Sequence, residues 1–316
     1  MTAKPKAGPT AEAKSTTTKP ARRQSNHCRS PRDEHPRPQG RRPERVARGF
    51  ARAEDAAGWR NPMMDGKNRG GDRWTMMHGD SLVVLRTLKD ESCDILITDP
   101  PYSSGGMVRG DRMSSTRTKY VRSDAAAPAA DFTGDNRDQR SYLAWCSLWL
   151  AECRRVLRPG AWAIVFTDWR QLPTTTDAVQ AGGFIWRGIM PWYKPAHRHV
   201  RGGVSLACEY AVVATNGPAV VDAPQIVGFY SESAPRERLH QTQKPAGLIA
   251  HALGLAPADS HVLDPFAGSG TTGVVAVSMG HRFTGIELSW HFYTVACDRL
   301  EGTVRDPAGC DQGVLL

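Results

Sequence analysis

Five times beyond residue 72 the chain builds a short apolar run, rich in β-formers, and ends it on an acid beside small or turn-forming residues. The runs are WTMMHGD ending at Asp80, CDILITD at Asp99, AWAIVFTD at Asp168, HVLD at Asp264 and RFTGIE at Glu287. Runs that are continuously apolar rather than alternating belong to strands covered on both faces, as in a parallel sheet. Helical patterns lie between them. SYLAWCSLWLAECRRVLRPG repeats Tyr142, Cys146, Trp149, Cys153, Val156 and Leu157 at helical spacing before Pro159-Gly160, and DSLVVLRTL and TTGVVAVSMG fit further helices. The pattern predicts an α/β fold, a doubly wound and mostly parallel sheet.

In such sheets ligands sit beyond the carboxyl ends of the strands, so five acids at that edge predict a site there. Taken singly, each acid serves equally well as the cap of the helix that follows. One run goes further: ILITDPPY, residues 95–102, ends in an acid, two prolines and a tyrosine. Proline gives nothing to a sheet ladder and fixes φ near −65°, so Pro100 and Pro101 stop the strand and stiffen the point where Asp99 and Tyr102 emerge.

Charge is unevenly placed. Residues 1–50 hold 13 Lys+Arg against 4 Asp+Glu, and the rest of the chain holds 28 of each sign. The same segment carries seven of the 22 prolines and few large apolar residues, so residues 1–72 are expected to be a disordered basic tail. Such a tail is either an arm that adds salt-dependent attraction to a polyanion or a solubilising extension. The catalytic domain is expected over 73–300, with a short tail at 301–316. Two long excursions, 103–140 and 195–243, are too long for ordinary connections and suit binding loops or lids.

The seven cysteines include no C-x-x-C pair, which fits a reduced, cytoplasmic setting. No run approaches the ~18 apolar residues of a membrane span, so no membrane role is expected. His197 and His199 form an H-x-H without further ligands, and no metal site is read there.

DPFAGSGTTG, residues 264–273, contains G-x-G-x-x-G at Gly268, Gly270 and Gly273 between a strand and a helix. Glycines let backbone approach a ligand closely, and a helix start favours negative groups. Glu287, at the next strand end, is placed to accept the hydroxyl hydrogens of a ribose. Together these indicate a nucleoside-containing cofactor. A dinucleotide is disfavoured, because only 43 residues follow Gly273, too few to finish the usual run of strands and helices.

At this point the chain resembles the amino-methyltransferases of DNA, in the permuted order often called the β class. DPPY at 99–102 looks like their catalytic motif, DPFAGSGTT like their cofactor loop, HQTQKP at 240–245 like the segment before that loop, and HGDSLVVL at 78–85 like the opening stretch. The resemblance spans about residues 74 to 300. It implies a Rossmann-like methyltransferase fold, S-adenosylmethionine as cofactor, double-stranded DNA as partner and a homodimer.

By the same resemblance Asp99, Pro100, Pro101 and Tyr102 are catalytic. The carboxylate of Asp99 and the carbonyl of Pro100 would accept the two N–H hydrogens of an exocyclic amine, and Tyr102 would stack on an extruded base. The cofactor would be held by Asp80, Asp264, Phe266, Gly268, Ser269, Gly270, Thr271 and Glu287, with Thr242 and Lys244 on its methionine carboxylate. Lys244 is alternatively a solvated lysine before a proline. Trp192, Tyr193 and Lys194 would border the base pocket or pack an edge strand. Arg198, Arg201, Arg236 and Arg238 are candidates for DNA contacts or plain solvated arginines.

The D-P-P-Y form leans toward N6-adenine, with N4-cytosine as the alternative and an RNA or protein amide further off. Methylation at cytosine C5 is excluded, since its nucleophile sits in a Pro-Cys pair and no such dipeptide occurs.

Overall fold

The computed structural model describes residues 68–102, 137–197, 199–220, 224–235 and 243–305. Residues 1–67 of the basic tail, 103–136 of the first long excursion, and Arg198, 221–223 and 236–242 of the second, with Arg236, Arg238 and Thr242 among them, lie outside the described residues, as do residues 306–316.

The elements in chain order are β1 (Arg69–Gly70), β2 (Trp74–His78), α1 (Ser81–Val84), β3 (Cys93–Thr98), α2 (Gln139–Val156), β4 (Leu157–Thr167), α3 (Leu172–Ala181) and β5 (Ile185–Tyr193). They continue with β6 (Cys208–Thr215), β7 (Tyr230–Ser231), α4 (Ala246–Leu253), β8 (His261–Asp264), α5 (Thr271–Ser278), β9 (Arg282–Glu287) and α6 (Trp290–Arg305). Among the described residues nine strands make one sheet in the order β1-β2-β9-β8-β3-β4-β6-β5-β7.

All five apolar runs are strands, and they are mutually parallel: β2 with β9, β9 with β8, β8 with β3 and β3 with β4. Their acids therefore collect at one edge. β6 runs antiparallel to both β4 and β5, so β5 ends at that edge and β6 begins there. The fold is the Rossmann-like, mostly parallel doubly wound sheet.

The pleat sends alternate residues of β3 to opposite faces. Ile95 and Ile97 pack with α4, α5 and α6 through Leu248, Val275 and Tyr293, while Leu96 packs with α2 and α3 through Trp149 and Val179. All eight side chains are at most 1% exposed, and each such aliphatic contributes about 1.5–3 kcal/mol by its burial.

Three boundaries differ from those read in the sequence. β1 lies within the stretch assigned to the tail, where Arg69 pairs with Glu301 at 2.6 Å and Asp298 at 3.2 Å on α6. α6 in turn continues past residue 300 to Arg305. Finally, α2 stops at Val156, and Leu157 is already extended (φ −79°, ψ 139°) at the head of β4. Pro159 offers no amide to a helical ladder, and Asn216 Nδ2 donates to the released carbonyls of Leu157 at 2.8 Å and Arg154 at 3.1 Å.

Candidate active site

The strand ends bring the two motifs together. One cleft is lined by Asp99 and Lys244 together with Asp264, Phe266, Gly268 and Thr271. Thr98 Oγ1 donates to Asp264 Oδ1 at 2.8 Å and ties the end of β3 to the end of β8.

The glycine loop turns tightly. Gly268 (φ +53°) and Gly270 (φ +81°) take left-handed backbone that a side chain would strain. A Cβ on Gly270 would stand 2.8 Å from Ala296 Cβ, whereas one on Gly268 would meet nothing within 4 Å and would point into open space. Gly268 is thus the position at which backbone can lie against a ligand. Beside it, Glu287 accepts the amides of Gly268 at 2.9 Å and Ser289 at 2.7 Å, one on each carboxylate oxygen. Each oxygen keeps capacity for a further donor, which suits the two hydroxyls of a ribose.

Burial dominates the electrostatics of these acids. It pushes the Glu287 carboxyl up to about 7 and the Asp264 carboxyl up to about 6, against the amides and hydroxyls that favour their anions.

Other expected cofactor residues act on the loop itself. Ser269 is buried, and Arg299 Nη1 donates to its carbonyl at 2.6 Å and to Thr271 Oγ1 at 3.2 Å. Asp80 caps α1, accepting the Leu82 amide at 2.9 Å. Phe266 rests on α2, its ring 5.3 Å from that of Trp145 and 5.0 Å from that of Trp149. The Arg137 guanidinium lies 4.1 Å over Trp145. A helix whose stripe reads as core therefore also packs under Phe266 of the glycine loop.

On the Asp99 side four charges interlock. Lys244 Nζ, with a side chain only 5% exposed, donates to Asp99 Oδ2 at 2.6 Å and to the Tyr102 hydroxyl at 2.8 Å, and lies 3.4 Å from Glu209 Oε2. Lys194 Nζ donates to Glu209 Oε1 at 2.7 Å. The Tyr102 hydroxyl donates to Asp99 Oδ1.

Burial pushes the Asp99 carboxyl up, with Lys244 pulling against it. Burial works to lower Lys244, yet Asp99 and Glu209 outweigh it and lift the ammonium above its ordinary value. Glu209 also meets a burial penalty, but Lys244 and Lys194 hold its carboxyl below the usual range. The solvated-lysine alternative for Lys244 is therefore set aside, and in the described arrangement its bonds go to Asp99 and Tyr102 of the D-P-P-Y segment.

Trp192 is 3% exposed, gives its indole N–H to the Glu232 carbonyl at 2.8 Å and packs in the core. Of the two roles open to it from the sequence, packing is the one observed. Lys194 and Tyr193 stand at the edge of the site, and Arg201 is exposed on the loop before β6. Glu209 carries no motif that would mark it in the sequence.

The family profile described as DNA methylase, of the N6/N4 methyltransferase type, matches residues 93–232 and 225–298. The chain belongs to the DNA methylase family.

This methylase is similar to the type II methyltransferase M.HinfI of Haemophilus influenzae, 27% identical over 263 residues that cover 74% of this chain and 70% of that one. The putative methylase YubD of Escherichia coli is 28% identical over 234 residues, 72% of this chain and 91% of the relative. Among solved structures, the cytosine-N4-specific PvuII DNA methyltransferase superposes with a TM-score of 0.56 at 16% identity, over 77% of the methylase and 94% of that chain. M1.HpyAVI in complex with SAM gives 0.51 at 22% identity, over 72% and 100%. At these identities the structures speak for the fold.

DNA is the methylase's substrate and S-adenosylmethionine its methyl donor, which the geometry of Gly268 and Glu287 fits. Among the described residues no group of three or more His, Cys, Asp or Glu is arranged to hold a metal, and no helix is long and apolar enough to cross a membrane.

Proposed function

We propose that the methylase transfers a methyl group to the exocyclic N6 of an adenine turned out of duplex DNA. The observation that carries this reading is the single cleft that Asp99 and the Gly268 turn line together. The D-P-P-Y order at 99–102 is what favours adenine over N4-cytosine.

S-Adenosylmethionine, when bound, supplies an electrophilic methyl carbon on a sulfonium. Glu287 would bind its ribose hydroxyls, Phe266 its adenosyl face, and Gly268 with Asp264 the neighbouring backbone and charge. The target amine is a poor nucleophile because its lone pair is delocalised into the ring. Asp99 and the Pro100 carbonyl each accept one N–H, drawing the nitrogen toward tetrahedral geometry and exposing that pair.

The Asp99 carboxylate would stand beside the amine nitrogen as that nitrogen takes on positive charge. Asp99 then takes the surplus N–H proton. Tyr102 gives its hydroxyl hydrogen to Asp99 in the described arrangement, which ties the ring proposed to stack on the base to the acid proposed to hold its amine. Positioning and fixed charge do the work, with no covalent protein intermediate.

The test is labelled methyl transfer to DNA followed by base analysis. The expected product is N6-methyladenine; N4-methylcytosine would overturn the choice of base. Asp99→Ala is expected to abolish transfer while cofactor binding persists, and retained turnover would remove Asp99 from its role.

A further inference from the structure

Glu209 is the second residue of β6, and because β6 runs against β4 it lies at the edge where β3, β4 and β5 end. A carboxylate there is expensive to keep ionised unless paired, and this one is paired twice, by Lys194 at 2.7 Å and Lys244 at 3.4 Å. Lys244 is itself divided between Glu209, Asp99 and the Tyr102 hydroxyl. The four charged groups sum to zero.

We infer that Glu209 is a positioning residue for methyl transfer: by sharing the Lys244 ammonium it keeps that cation from neutralising the Asp99 carboxylate that must receive the target amine. The inference rests on the role proposed for Asp99.

The physical reason is charge balance at the nitrogen. During transfer positive charge moves onto the amine, which sits against Asp99. Removing the anion of Glu209 leaves the cluster with one uncompensated positive charge next to that nitrogen, and draws Lys244 harder onto Asp99. Both changes oppose the reaction, and neither touches the cofactor loop. The other charged or titratable groups facing the cluster are Asp168 beyond β4, which acts on Tyr102, and Asp264 on β8, which interacts with Asp99.

In the full chain, Glu209→Gln keeps the side chain's size and removes its charge, and Glu209→Asp keeps the charge. Single-turnover transfer of labelled methyl to DNA is measured across pH, with cofactor and DNA binding read separately. For Glu209→Gln the rate is expected to fall by about 100-fold, the scale of a misplaced reacting group, with cofactor affinity unchanged. The acid limb of its pH profile should move to lower pH, because Glu209 is one of the neighbours that raises Asp99. Glu209→Asp should recover most of the rate.

Lys194→Met, which leaves Glu209 to act on Lys244 and Asp99 unneutralised, should move the limb the opposite way, and it decides the matter if Glu209→Gln does not fold. An unchanged rate and limb in Glu209→Gln, loss of binding and melting temperature with an unmoved limb, or no upward shift in Lys194→Met would each overturn the inference. Failure of the unaltered chain to methylate DNA would instead overturn the function on which it rests.

Discussion

Glu287 is caught between burial, which pushes its carboxyl up to about 7, and two amides that hold its anion in place. A cationic cofactor favours the ionised form, so binding below neutral pH must expel a proton. Cofactor affinity is expected to fall by about tenfold per pH unit below that value, measurable by calorimetry in buffers of different ionisation enthalpy. Without cofactor the sign for stability is the reverse. A carboxyl raised in the folded state stabilises the protein fully below its unfolded value and loses that contribution as pH rises through the folded one. The unliganded melting temperature should therefore drop between about pH 4.5 and 7, with Asp264 adding to the drop up to about 6, and added cofactor should restore it. Asp99, Asp264 and Glu287 were legible in the sequence because each closes an apolar run. Glu209 was not, since it opens its strand rather than ending it, and only the antiparallel course of β6 delivers it to the same edge.

At the scale of elements, the third glycine of the loop differs in purpose from the first. Gly273 lies inside α5, where an added Cβ would stand 2.4 Å from the Phe283 ring on β9. Gly273→Ala should cost about 1–3 kcal/mol of stability by overpacking, read from denaturant unfolding. Gly268→Ala meets only open space and should cost about 1–2 kcal/mol through its left-handed backbone, while cofactor affinity falls by more than stability does. The periodicity of α2 gave its buried stripe, with Tyr142, Cys146, Trp149, Cys153 and Val156 all covered. What it could not give was the packing of Trp145 and Trp149 on Phe266, because a helical wheel shows which face is apolar and not which loop lies over it. Likewise the expected end at Pro159-Gly160 overran the helix, since a strand that begins at Leu157 needs the distant Asn216 to satisfy the carbonyls it leaves.

For the whole molecule, the excess of positive charge resides in residues 1–50, while the remainder is balanced. A chain beginning at residue 68 keeps Arg69 and its pairs to α6, and should fold and turn over at saturating DNA. Its log affinity for DNA should depend less steeply on log salt than that of the full chain, by about 0.9 for each phosphate that the basic segment neutralises. Equal slopes for the two chains would assign the segment no electrostatic part. The sheet itself follows a different order from the gene: β9 and β8 slot between β2 and β3, yet they are among the last strands to leave the ribosome. A product cut short before residue 261 would carry the D-P-P-Y segment with two bare strand edges and without the glycine loop. Such a remnant is inert toward a genome and, with its edges unsheathed, prone to clump.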